Sequence, residues 1–169
     1  MESEPIVNHV LVAGNTCFGC GPDNPNGRSV RIWRDGDRSD GLLGSFTPQP
    51  FMSGFPGITH GGAIYTALDC IAAWTPTALR PEVKAIWILR SASIRYHRAA
   101  RAEQEIGLAT AVKAETPGRT MVVHATARDG SGALLAEAEF DVVALPPERF
   151  RRVAGVAELP EGWRSFLEV

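Results

Sequence analysis

Basic charge in excess, long apolar runs, repeats and a paired set of cysteines are all missing from this sequence. The formal net charge is -2 at pH 7, which argues against a nucleic-acid binder, because such proteins present a basic face. No apolar run is long enough to span a bilayer. The first residues, MESEPIVNHV, are acidic and lack the apolar core of a signal peptide, so a cytoplasmic location and no membrane partner are expected. The three cysteines are odd in number and two are close neighbours, which argues against a disulfide framework. Neither an internal repeat nor a low-complexity tract interrupts the chain. What remains is 169 residues that are 44% hydrophobic, enough for one globular domain with a real core.

Punctuation and periodicity divide the chain. Residues 1–26 are rich in Gly, Pro and Asn, and the run Cys17-Phe18-Gly19-Cys20-Gly21 predicts a compact loop extension with no regular element. Residues 27–145 form the main domain. A strand is expected over Ser29–Arg34, with Asp35-Gly36-Asp37 as its turn, and a second over Gly41–Phe46. Pro48–Gly57 crosses toward a helix expected over His60–Leu79, bending or stopping near Pro76. Ile64, Leu68, Ile71 and Thr75 repeat at helical spacing and should face a sheet. Gly62, Thr66, Asp69 and Ala73 form a neighbouring stripe of small side chains that leaves room beside the carboxylate. Strands follow over 85–95, 105–115, 120–128 and 133–145, separated by Thr116-Pro117-Gly118-Arg119 and Asp129-Gly130-Ser131-Gly132. A helix followed by a meander of antiparallel strands predicts an α+β layer pair. Residues 146–169 form a short tail whose Phe150, Trp163 and Phe166 should pack on the body or on a second subunit.

The stretch from His60 to Asp69 carries the chemistry. His60-Gly61-Gly62 opens an apolar helix. The first N–H groups of a helix have no intrahelical acceptor, and the dipole makes that end positive, so an oxyanion can be held there. Asp69 is a lone carboxylate between Leu68 and Cys70-Ile71-Ala72-Ala73, where an unpartnered charge is costly. The plain alternative for Asp69 is a carboxylate satisfied at a subunit contact; for His60, a helix-start residue that only ties down a loop. Gly61 and Asp69 are separated by eight positions, roughly 12 Å along one helix. Two copies with antiparallel helices would bring Gly61 of one chain to Asp69 of the other.

Other reactive residues have plainer readings. Cys17 and Cys20 have CxxC spacing, but zinc takes about four ligands, there is no second pair, and His9 is the only nearby histidine. A tight turn is therefore expected, with no metal. Cys70 should point elsewhere on the helix than Asp69, into the core, with a cysteine nucleophile as the alternative. His97 and His124 read as ordinary strand residues. Arg95, Arg98 and Arg101 read as a solvated face, or as contacts to the phosphates of a coenzyme. Phe55, Trp74 and Trp87 are candidates for an apolar pocket.

The spaced set Cys17-Phe18-Gly19-Cys20-Gly21, Asn24-Pro25, Gly27, then Pro56-Gly57-Ile58-Thr59-His60-Gly61-Gly62 with Asp69, then Ile94-Arg95-Tyr96, Gly118-Arg119 and Asp129-Gly130…Leu135-Ala136 resembles the PaaI-like hot-dog-fold thioesterases over residues 15–145. The resemblance implies a hot-dog fold, a long central helix wrapped by an antiparallel sheet. It also implies hydrolysis of an acyl thioester, usually acyl-CoA, by a homodimer or dimer of dimers that needs no cofactor. On it Asp69 is the nucleophile or general base, Gly61 supplies the oxyanion N–H and His60 shapes the site. Gly62, Thr66, Leu89 and Ser91 are the substrate-binding candidates. Relatives carry Ser or Thr seven residues before the tyrosine matching Tyr96, where this chain has Leu89; Ser91, two residues on, would share its strand face. Relatives often have Glu after the aspartate, where this chain has Cys70. The alternatives are a non-catalytic acyl-CoA binding protein and a dehydratase or hydratase on the same fold.

Overall fold

A computed structural model describes residues 6–27, 29–36 and 39–167. The first five residues of the acidic N-terminus and Asp37 of the expected turn lie outside the described residues. The elements, in order, are α1 (Val7–Val10), β1 (Arg31–Arg34), β2 (Leu42–Phe46), β3 (Ser53–Phe55), β4 (Ile58–Thr59), α2 (Gly61–Leu79), β5 (Ile86–Tyr96), β6 (Ile106–Thr116), β7 (Thr120–Arg128), β8 (Leu134–Leu145), α3 (Pro147–Ala154) and α4 (Glu161–Leu167). Six strands form one antiparallel sheet in the order β1-β2-β6-β7-β8-β5. The long helix α2 lies on it, touching β2, β5, β6, β7 and β8. This is the hot-dog fold.

The sheet and helix meet through the residues their periodicities select. In β7, Met121, Val123, Ala125 and Ala127 are fully buried while Val122, His124 and Thr126 are not. From α2, Ile64, Leu68, Ile71 and Thr75 point into that layer, none more than 2% exposed. A buried polar link crosses it: Thr75 Oγ1 lies 2.9 Å from Thr110 Oγ1, which also accepts from Leu42 N at 2.9 Å. Buried hydroxyls are tolerated there because each has partners. The helix continues through Pro76 to Leu79 instead of stopping. Proline removes the bond to the carbonyl four residues back, but Thr75, Pro76, Thr77 and Ala78 are all buried, and that burial holds the last turn in place.

Both termini carry more structure than the sequence announces. The loop extension contains the one-turn helix α1, whose Asn8 is fully buried. Its Nδ2 donates to Cys20 O at 2.6 Å and Val30 O at 2.9 Å, and its Oδ1 accepts from Ile32 N at 3.0 Å. One side chain thus fastens the Cys17–Cys20 turn to β1. Four residues of α1 show too little periodicity to be read from sequence. The tail forms α3 and α4, and Leu159 and Leu167 bury against Ile86, flanked by Phe150, Trp163 and Phe166, so it packs on the body of its own chain.

Candidate active site

His60 is the N-cap of α2. Its backbone is extended (φ -62°, ψ 135°) and its Nδ1 accepts from Gly62 N at 2.9 Å. An accepting Nδ1 leaves the ring proton on Nε2. The cap uses one of the two glycine N–H groups expected to be free. The other is free: among the described residues nothing accepts from Gly61 N–H. Tyr96 at the end of β5 covers this turn, its hydroxyl donating to Gly61 O at 3.0 Å. A side chain at Gly61 would sit 3.2 Å from the Tyr96 ring, so glycine here allows the close approach. A cavity of about 360 Å³ opens beside the cap, lined by Phe18, Phe51, Met52, Ser53, His60, Gly62, Ala63 and Thr66. Thr66 spends its hydroxyl on Gly62 O at 2.9 Å, leaving its methyl to the neighbouring loop.

Asp69 faces a second, smaller cavity of about 190 Å³, which it lines with Trp74, Trp87, Trp163 and all three cysteines. Among the described residues no hydrogen bond or ion pair satisfies its carboxylate. Burial, and then the negative Cys17 beside it, push its pKa up to about 6. Trp87 is 5% exposed, and its Nε1–H has no partner among the described residues. Trp74 and Trp87, two of the three residues expected to group in an apolar pocket, both line this cavity. Phe55 is not in it: it lies 72% exposed on β3. Trp163, from the tail, stands in that cavity instead. Nothing in the sequence signals this, because α4 reaches the cavity only through the fold. Tyr96 was legible as part of a motif but not as the cover of Gly61.

The loop from Cys17 to Cys20 separates the two cavities. Gly19 lies so close to α2 that a Cβ would fall 2.3 Å from Cys70 Sγ and 2.9 Å from Thr66 Cγ2. Cys70 is buried, as expected, but it does not point away from Asp69: both line the smaller cavity, and the sulfur atoms of Cys17, Cys20 and Cys70 lie within 4.8 Å of one another. The expectation of a bare turn there missed the third sulfur, which comes from a helix fifty residues on.

Leu89 and Ser91 do not share a strand face. β5 is bulged at Arg90: Leu89 pairs with Val142, and Ser91 pairs with Asp141, the next residue of β8. Paired residues point to the same side, and Val142 is fully buried under α2. Leu89 therefore faces the helix layer and Ser91 the opposite side. A bulge adds one residue and reverses the alternation, so Ser91 cannot stand in for a hydroxyl at Leu89. On that opposite side, Glu137 binds His97 Nε2 at 2.9 Å and His124 Nε2 at 3.3 Å, a surface cluster away from Asp69's layer. Arg95, Arg98 and Arg101 are exposed.

Solved structures share this architecture at low identity. PaaI of E. coli, from the phenylacetic acid degradation operon, superposes with a TM-score of 0.61 at 13% identity, over 70% of this chain and 80% of its own. Thioesterase superfamily member 2 of zebra fish gives 0.61 at 16%, over 75% and 88%. A hypothetical thioesterase from Streptococcus pneumoniae, solved with coenzyme A, gives 0.59 at 16%, over 68% and 84%. No protein-family model matches the chain, nor does any curated protein. The structural neighbours are thioesterase-superfamily proteins, and what the chain shares with them is the hot-dog fold.

Proposed function

We propose that the protein hydrolyses an acyl thioester, with acyl-CoA as the substrate class, at sites shared between two copies of the chain. The observation that carries this reading is the pair on α2: an N–H at Gly61 with no acceptor and a half-buried Asp69 with no partner. In the proposed mechanism Gly61 N–H of one chain holds the thioester oxygen as negative charge develops on it. Asp69 of the other chain takes a proton from the attacking water and returns it to the thiolate expelled as the C–S bond breaks. Alternatively it attacks the carbonyl itself: the C–S bond breaks to leave an anhydride, the departing thiolate takes up a proton, and water then opens the anhydride to the free acid and Asp69. His60 keeps the helix start in register by capping it, and so acts as a positioning residue. The smaller cavity, walled by three tryptophans, is where an apolar or aromatic acyl group would lie. Coenzyme A in the S. pneumoniae neighbour supports the choice of carrier.

The test is a panel of acyl-CoAs assayed for free thiol release, with Asp69→Asn alongside. Turnover by the wild type and its loss in the variant are expected. A protein that binds acyl-CoA with no thiol release would be a non-catalytic binder, a reading favoured only by the apolar Leu89 on the helix side of β5. Hydration of an enoyl-CoA would point to the dehydratase class, for which His60 is badly placed because its Nδ1 is already engaged.

A further inference from the structure

The Cys17–Cys20 loop has features that thioester hydrolysis does not use. Gly19 lets it press onto α2 against Cys70 and Thr66, and Gly21 lets it fold tightly on itself, since a Cβ there would fall 2.3 Å from Cys17 N and 2.5 Å from Asn15 O. Two asparagines hold it there. Asn15 Oδ1 accepts from Cys17 N at 3.0 Å, and Asn8 Nδ2 donates to Cys20 O at 2.6 Å. The outcome is three thiols, all unbridged, with sulfur atoms within 4.8 Å of one another.

We propose that Cys17, Cys20 and Cys70 bind a thiophilic metal ion, zinc(II) in the first instance, through three thiolates, with water in the fourth position. Zinc–thiolate bonds of about 2.3 Å in a tetrahedron place sulfur atoms about 3.8 Å apart, a spacing within the separation the loop already imposes. The surroundings suit anionic sulfur. Trp74 Nε1 donates to Cys20 Sγ at 3.2 Å, an outer contact of the kind that orients a metal ligand. A divalent ion bound by three thiolates releases the thiol protons as it binds. Cys17 is exposed while Cys20 and Cys70 are buried, so the ion has a way in. A disulfide would use two sulfurs and leave the third without a role.

The inference does not rest on thioester hydrolysis, and its test reads metal, not turnover. The full chain, reduced with a phosphine and stripped with a chelator, is titrated with cobalt(II). Saturation at one equivalent is expected, with a sulfur-to-cobalt charge-transfer band and the visible bands of tetrahedral coordination, and zinc should displace the cobalt. Cys17→Ser, at an exposed position, should weaken binding at least about tenfold with an unchanged circular dichroism spectrum. Asp69→Asn should keep the cobalt spectrum while losing hydrolysis, which separates the two readings. Absence of the charge-transfer band in folded, reduced protein overturns the proposal, as does zinc affinity unchanged in both Cys17→Ser and Cys70→Ala. A Cys17–Cys20 disulfide whose reduction restores thiols that take up no metal overturns it as well.

Discussion

Asp69 is the residue on which the proposed chemistry turns. Asn is nearly isosteric and keeps the cavity, but it can neither accept a proton from water nor form an anhydride. Asp69→Asn should lower kcat at least about a hundredfold with KM little changed, measured by thiol release. Ser91→Ala should leave kcat within about twofold, because the bulge at Arg90 turns Ser91 to the far side of the sheet and removing an exposed hydroxyl away from reacting atoms changes little. A large loss in that variant would mean that the outer face takes part after all. Glu137 gives a pH-dependent residue of a different kind. Hydrogen bonds from His97 and then His124 hold its carboxyl below the ordinary range. A carboxylate depressed in the folded state contributes stability that is full above its unfolded pKa, about 4.3, and is lost as pH falls through the lower folded value. The Tm difference between wild type and Glu137→Gln should therefore shrink as pH drops below about 4, read by thermal melts across acidic buffers.

At the scale of elements, the Cys17–Cys20 loop and α2 behave as one unit. Gly19→Ala would drive a methyl into Cys70 Sγ and Thr66, and overpacking of this kind costs about 1–3 kcal/mol. The expected Tm loss is roughly 2–12 °C for a chain of this size. Gly130→Ala, with open space around its Cβ position, is the matched control and should melt like the wild type. Much of this architecture was legible in the sequence. Strict alternation gave β7 its bounds, and spacing at Ile64, Leu68, Ile71 and Thr75 gave the buried face of α2. The carboxylate and the helix start stood out in the sequence as candidates because each breaks the pattern around it. What was not legible has physical reasons. A bulge leaves no mark in composition, so the sidedness of Leu89 and Ser91 came out wrong. The third sulfur and Trp163 belong to elements that meet the loop only after folding. The helix was expected to bend or stop near Pro76, a local propensity weighed without the burial that carries α2 on to Leu79.

For the whole molecule, the decisive question is how many chains make one site. Gly61 and Asp69 stand eight residues apart on a continuous helix, roughly 12 Å, so one chain cannot aim both at one carbonyl. β5 adds pressure to associate. It runs for eleven residues, pairs among the described residues only with β8, and is exposed at Arg90, Ser91, Ala92 and Ser93. A long open edge of this kind is commonly covered by another strand. Light scattering should therefore give a mass at least twice the 18.2 kDa of the chain. Mass alone does not show a shared site, but mixing two inactive variants does. Gly61→Pro deletes the oxyanion N–H at the first helical position, where proline is tolerated, and the extended backbone of His60 suits a following proline. Its ring must displace Tyr96 by a few tenths of an ångström, so its melt is recorded first. Each variant alone should be inactive. In a mixed dimer one site inherits both defects, and the other takes Gly61 from the Asp69→Asn chain and Asp69 from the Gly61→Pro chain. Random reassociation should then restore about a quarter of wild-type turnover. Recovery near zero from a mixture that has demonstrably exchanged subunits would place both groups within one chain, and the distance along α2 would then rule out their joint action on a single carbonyl.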